Sequence, residues 1–368
     1  MLKRLDSLVP KLLEKFNLPG IAICFISKFE ISSIETYGFV NIEKKEPINE
    51  DTVFQICSIS KPVTAWGVMK LVERKLLDLD DPVEQYLTRW HLPPSEFNHD
   101  DVTIRRVLSH SAGLSLSGYL GTHPNNKLPL IEESLSGITP APLDKIQLAY
   151  CKRWDRDPHK EEHPVRVIHE PGTVFYYSGG GYSIIQLIIE EVTNQSFDEF
   201  MKREILIPLK MKNSSFNIDE INSNTFATPY DEGEIIPNYK LVAKAAGGLC
   251  STIKELAHFV LAPMKYYQKE LIDKDVISFK SIKELYNPII YSSDEMGIKW
   301  YSGLAHFVGN IKGAQVVQHS GGHVGWRSMM MFFPKLGKGI VLLVNSSGGN
   351  PLWANILMRW LRKITNTL

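Results

Sequence analysis

The chain has 368 residues, 43% hydrophobic and 22% charged, long enough for one large folded unit or two coupled ones. Basic and acidic residues number 41 each and no basic stripe breaks that balance, which argues against a nucleic-acid binder. No apolar run reaches the roughly 18 residues of a membrane helix, and the four cysteines (Cys24, Cys57, Cys151, Cys250) form no C-x-x-C, so neither a thiolate zinc site nor a disulfide framework is indicated.

In chain order, Leu2, Leu5, Leu8, Leu12, Leu13 and Phe16 are spaced among charged residues. They predict an amphipathic surface helix rather than a signal peptide, and with it a cytoplasmic location. Gly20–Ser27 and Ile31–Phe39 are β-rich and joined by Lys28-Phe29-Glu30, an antiparallel hairpin. From Ser58 to Arg74, Val63, Trp66, Val68, Met69, Leu71 and Val72 cover much of a helix surface, which predicts a buried helix. Pro62 is tolerated there near the first turn. Residues of about 78–244 read as mainly helical, interrupted by a long polar, proline-bearing stretch from about Ser115 to Gly172. A connection of that length is more often functional or mobile than core. A helical pattern resumes over Ile184–Phe200. The last third predicts a helix over Thr252–Leu261, strands over Lys299–Leu304, Gln315–Gln318, Ser328–Phe333 and Gly339–Val344, a turn at Pro334–Lys338, and a closing helix over Pro351–Ile364.

Phe54-Gln55-Ile56-Cys57-Ser58-Ile59-Ser60-Lys61 carries the strongest chemical signal. An S-x-x-K on a helix puts Ser58 and Lys61 at i and i+3, on one face and within reach of each other. A serine hydroxyl must lose its proton to attack, and a lysine desolvated in a cleft can assist. The helix N-terminus also aims backbone N–H groups at charge that develops in acyl transfer. Taken alone the motif is far more often a helix cap beside a surface lysine.

Four further passages supply the context: VTIRRVLSHSAGLS (102–115), PGTVFYYSGGGYSIIQLIIEEVTNQSF (171–197), AAGGLCSTIKELAHF (245–259) and HSGGHVGWRSMMMFFP (319–334). With FQICSISKPVTAWGVMKLVERKLLDLDDPV (54–83), and in this order, the chain resembles the superfamily of class C β-lactamases, DD-peptidases and family VIII esterases over nearly its whole length. The resemblance implies an α/β (α+β) fold of the β-lactamase/transpeptidase type, acting as one catalytic unit. Its antiparallel sheet comes from residues of about 18–57 and 290–345, flanked by the terminal helices. The α/β part spans about 1–77 and 245–368, with a mainly helical insert over about 78–244.

The same resemblance implies that Ser58 is the acylated nucleophile, Lys61 its helical neighbour, and Tyr177 of Tyr177-Ser178-Gly179 the general base. It places His319-Ser320-Gly321 where the family has K-T-G, with Ser320 and Gly321 beside the substrate, and the oxyanion hole at the backbone N–H groups of Ser58 and Gly322. No metal or organic cofactor is implied, and the expected partner is a small ester, amide or peptide. Two departures stand out. Gly179 replaces an asparagine that would hold a substrate amide. His319 replaces a lysine, which weakens a fixed positive charge for a substrate carboxylate. Both point towards esterase or D-peptidase chemistry, with neutral esters preferred and the preference softening as His319 protonates. A β-lactamase or D-alanyl-D-alanine carboxypeptidase is the alternative, and a catalytically silent binding protein on the same fold is another.

Other motifs are weaker. His159-Lys160-Glu161-Glu162-His163 matches the inverted zinc-protease pattern, but it lies between Pro158 and Pro164 in a highly charged stretch and reads as a loop. His110 is expected to make a helix-end hydrogen bond. Cys57 should project away from the Ser58 side.

Overall fold

The computed structural model describes residues 2–138, 142–268 and 276–366. Alternating side chains on extended backbone need two apolar layers when both faces are covered, and the central strands here are buried at nearly every position. The strands are β1 (Gly20–Ser27), β2 (Glu30–Asn41), β3 (Glu46–Pro47), β4 (Val53–Gln55), β5 (Tyr230–Asp231), β6 (Glu234–Ile235), β7 (Cys250–Thr252), β8 (Ile290–Glu295), β9 (Ile298–Ser302), β10 (Phe307–Ile311), β11 (Ala314–His323), β12 (Trp326–Phe333) and β13 (Lys338–Val344). The helices are α1 (Leu2–Lys15), α2 (Ser60–Glu73), α3 (Ile104–Leu108), α4 (Ile131–Leu135), α5 (Lys145–Arg153), α6 (Gly179–Thr193), α7 (Phe197–Met201), α8 (Lys244–Gly247), α9 (Ile253–Lys265), α10 (Phe279–Leu285) and α11 (Asn350–Thr365).

Nine strands form one antiparallel sheet in the order β3-β2-β1-β13-β12-β11-β10-β9-β8. Ile21, Ile23 and Phe25 of β1 face one side with Met329, Met331, Ile340 and Leu342, where Leu5, Val9 and Leu13 of α1 and Leu352, Ile356 and Trp360 of α11 cover them. Ala22, Cys24 and Ile26 face the other side, towards α2, α6 and α9. Each fully buried aliphatic or aromatic side chain contributes about 1.5–3 kcal/mol, which is what makes the two-sided burial of β1 and β13 the anchor of the fold. The region between β4 and β7 is built from α2 to α8, the short β5–β6 hairpin and single helical turns joined by long irregular segments.

Several boundaries moved. The α1 stripe uses Val9, fully buried, in place of Leu8, which is half-buried. Lys28 and Phe29 turn the first hairpin with φ of 55° and 65°, the left-handed pair that matches the strand twist, and β2 runs on to Asn41. The helix expected from Ser58 is a 3-10 turn over Cys57–Ile59 followed by α2. The helix expected over Thr252–Leu261 is α9, capped by Thr252, whose side chain accepts from the Glu255 N–H, and it continues through Pro263 to Lys265. Strand β11 is ten residues long where only Gln315–Gln318 looked extended, because glycine and histidine mask the pattern.

Candidate active site

The Ser58 turn is held by backbone from three directions. Ile56 donates its N–H to Leu249 O at 2.9 Å, and its carbonyl accepts from Ser328 Oγ at 2.7 Å. Ser60 Oγ donates to Cys57 O at 2.6 Å and accepts from Leu249 N at 2.9 Å. Cys57 has φ of 52°, a left-handed conformation that a non-glycine residue adopts only when its surroundings impose it. The result presents Ser58, partly exposed, in the first turn of a helical stretch, where N–H groups have no intrahelical partner.

Lys61 is 1% exposed. Its Nζ lies 3.2 Å from Ser58 Oγ and donates to Ala246 O at 2.7 Å. It also sits over the rings of Tyr177 and Tyr182, at 4.9 and 5.4 Å from their centroids. Among the described residues no carboxylate pairs with it. Tyr177 is fixed from behind by His110, whose ring stacks on it at 4.3 Å. His110 follows α3 with φ of 58°; its Nδ1 accepts from Ser178 N at 3.1 Å and its carbonyl accepts from Tyr176 N at 2.8 Å. The helix-end bond expected of His110 is thus made to the N-cap of α6, not to its own helix. Burial, and then the Lys61 charge, holds the His110 imidazole well below its ordinary value.

A cleft brings together Ser58, Lys61, Tyr177 and Gly322, with Cys57, Ser117, Gly118, Tyr119, Arg156, Ala246 and His323 on its walls. Strand β11 pairs with β10 only as far as Gln318, so residues 319–323 keep one edge free of any strand.

The profile of the Beta-lactamase family matches residues 5–361. The chain belongs to that family. It is 24% identical over 358 residues to Protein flp of Staphylococcus aureus (strain MW2), covering 93% of this chain but only 63% of the relative. It is 23% identical to Penicillin-binding protein 4* of Bacillus subtilis (strain 168), covering 93% and 71% of the two chains. Among solved structures it is similar to the octameric penicillin-binding protein homologue from Pyrococcus abyssi, with TM-score 0.74, 27% identity, and 94% and 74% of the two chains covered. The fold is also that of a penicillin-binding protein from Bacillus halodurans, with TM-score 0.72, 20% identity, and 95% and 99% covered.

Against the family pattern, the remaining expected residues fall outside the cleft lining. His319 is 1% exposed; its Nδ1 bonds to Ser320 O at 2.7 Å and its ring lies 5.3 Å from Phe307 and 6.5 Å from Tyr177. Burial, followed by the Lys61 charge, lowers its imidazole to about 3. His319 is therefore neutral throughout the working range, and the softening of substrate preference on mild acidification does not follow. Ser320 is exposed. Gly321 is wedged against Ile56 O, Cys57 and Ser328. Gly179 is buried at the start of α6. A Cβ on it would stand 3.1 Å from Gly118 Cα and 3.2 Å from Ser117 O, so backbone fills the space that the family's asparagine would take.

Residues 160–162 form one 3-10 turn and His163 is extended, so His159 and His163 do not share a helix face; His159 pairs with Glu162 at 3.1 Å. Among the described residues no group of three His, Cys, Asp or Glu is arranged to hold a metal, and no helix is long and apolar enough to cross a membrane. The Cys57 thiol is pushed up to about 12 by burial, which leaves it unreactive. Arg156, Ala246 and the Ser117–Gly118 backbone escaped the sequence reading. Ala246 lay in a recognised motif without a side chain to advertise its carbonyl, and Arg156 lies in a stretch with no periodicity.

Proposed function

We propose that this chain is a serine hydrolase that cleaves an ester or amide through an acyl-enzyme on Ser58. The observation that carries this reading is the buried Lys61 Nζ at 3.2 Å from Ser58 Oγ, with its other hydrogen bond going to a carbonyl rather than to a carboxylate. Lys61 donates to Ser58 Oγ and to Ala246 O, which orients the hydroxyl for attack beside Tyr177, the proposed general base. Ser58 Oγ attacks the carbonyl carbon, and its proton passes to the Lys61–Tyr177 pair. The N–H groups of Ser58 and Gly322 receive the oxyanion. The tetrahedral adduct expels the alcohol or amine, which takes up that proton. Water then repeats the sequence on the acyl-enzyme and releases the acid.

The neutral His319 favours esterase or D-peptidase chemistry over the β-lactamase or D-alanyl-D-alanine carboxypeptidase alternative, since no cation stands at the K-T-G lysine position. The Ser58–Lys61 contact, kept at hydrogen-bonding distance inside a cleft, speaks against a silent binding role. A fluorophosphonate should label the protein at Ser58, and Lys61→Met should slow that labelling. An adduct mapped elsewhere, or none on folded protein, overturns the proposal.

A further inference from the structure

We propose that Arg156, supplied by the 115–172 stretch, binds a carboxylate on the substrate that Ser58 attacks. This rests on the hydrolase reading above and names the substrate class: an acidic ester or amide. Arg156 lines the same cleft as Ser58, at the end walled by Gly322 and His323, where β11 leaves its edge unpaired. A substrate laid along that edge brings its acyl carbon to Ser58 and extends towards the guanidinium.

Arg156 is held there without an ion pair among the described residues. Three guanidinium groups crowd the ring of Tyr150: Arg153 at 5.9 Å, Arg156 at 5.5 Å and Arg327 at 5.9 Å. Arg153 is paired with Asp231 and Glu232, both at 2.6 Å. Among the described residues, neither Arg156 nor Arg327 has a carboxylate within ion-pair distance. Arg327 is 5% exposed, and its Nη1 donates only to the carbonyls of His323 and Trp326, at 2.8 and 2.7 Å. Its guanidinium also lies 5.0 Å from the Trp154 ring. Two cations held by stacking and by neutral acceptors leave this end of the cleft electropositive.

The other charged or titratable groups nearby offset it only in part. Lys160, whose ammonium is held below its ordinary value by burial and then by Arg156, bonds to Ser117 Oγ at 3.3 Å. His323 is lowered to about 4 by burial and is neutral at pH 7. Glu161, which accepts from the Leu120 N–H and feels the charges of Lys160 and Arg156, is pushed up to about 7 chiefly by burial and lines the neighbouring pocket. Asp157 is exposed, with Oδ1 accepting from His159 N at 2.9 Å. A guanidinium offers paired donors that match a carboxylate, and its attraction to the Tyr150 ring, 5.5 Å away, helps to hold it in place. The expectation of a preference for neutral esters, drawn from His319 alone, is replaced: the cation lost from position 319 is supplied by Arg156.

The test compares two fluorophosphonates that differ only in an alkyl arm ending in a carboxylate or in its methyl ester, over a short series of arm lengths. The readout is the rate of Ser58 labelling. Wild type should react with the best acidic probe about ten- to a hundredfold faster than with its ester, the range of one charge-assisted contact. Arg156→Gln should abolish that ratio by slowing the acidic probe alone, and Arg156→Lys should keep part of it. The neutral probe reports that each variant is folded. Equal rates in wild type, or a ratio that survives Arg156→Gln, overturns the role of Arg156 and leaves the hydrolase reading standing. No labelling by either probe overturns the hydrolase reading itself.

Discussion

Gly321→Ala adds one methyl group at the place where β11 meets the Ser58 turn. The new Cβ would stand 2.3 Å from Ser328 Oγ, 2.4 Å from Ile56 O and 3.0 Å from Cys57 Cβ. Ser328 can rotate away only by giving up its 2.7 Å bond to Ile56 O, a loss of about 1 kcal/mol. Ile56 O is backbone and must recede by about 1 Å to reach ordinary contact, at an overpacking cost of about 1–3 kcal/mol. The two together come to about 2–4 kcal/mol. Unfolding entropy of about 2.1 cal/mol/K per residue gives about 0.8 kcal/mol per degree for a chain of this length, so Tm should fall by about 3–5 °C. The same displacement moves Cys57 and Ser58 relative to Gly322, and a misplacement of about 1 Å costs on the order of 10²-fold in rate. Gly322→Ala is the control: its Cβ would meet Arg327 at 3.4–3.5 Å, an ordinary contact, and Tm should stay within about 1 °C. Thermal unfolding and Ser58 labelling, measured on both variants, decide the matter. A Gly321→Ala protein with wild-type Tm and wild-type labelling rate would refute the steric argument.

Tyr177→Phe removes the hydroxyl while leaving the ring that stacks on His110, so turnover should fall roughly 10²–10⁴-fold with Tm little changed; retained turnover would move the base role wholly to Lys61. Stability should fall in mild acid, because His306 and His323 are held at about 4 and His319 at about 3, below an unfolded value near 6.5. Above that value both states are neutral. As pH drops below it the unfolded chain takes up protons first, at a cost of about 1.4 kcal/mol per pH unit per histidine until the folded value is reached. Urea unfolding between pH 7 and pH 5 should show this slope, and His306→Gln should lessen it; an unchanged slope would exclude His306. Gly179→Asn restores the family residue but presses on Gly118 and Ser117, so labelling of Ser58 should slow rather than quicken.

The sequence by itself determined the elements whose chemistry is local. The continuous, largely apolar runs of β1, β12 and β13 and the all-round apolar surface of α2 are properties of neighbouring residues, and they define the sheet and the helix behind Ser58. The S-x-x-K spacing sufficed to bring Lys61 to Ser58 because three helical residues span that distance whatever surrounds them. Only the tertiary structure decided what each residue faces. Gly179 looked like a vacancy in the site, yet Ser117 and Gly118, about sixty positions earlier, occupy the space. His319 looked like a substrate contact and a pH switch, yet Phe307 and Tyr177 bury it and keep it neutral. Arg156 carried no signal, because its role comes from the ring of Tyr150, the cleft wall it joins and the absence of a carboxylate partner among the described residues. Spacing along one helix or strand is fixed by backbone geometry. Burial, and with it charge state and access to the cleft, depends on segments that only folding brings together.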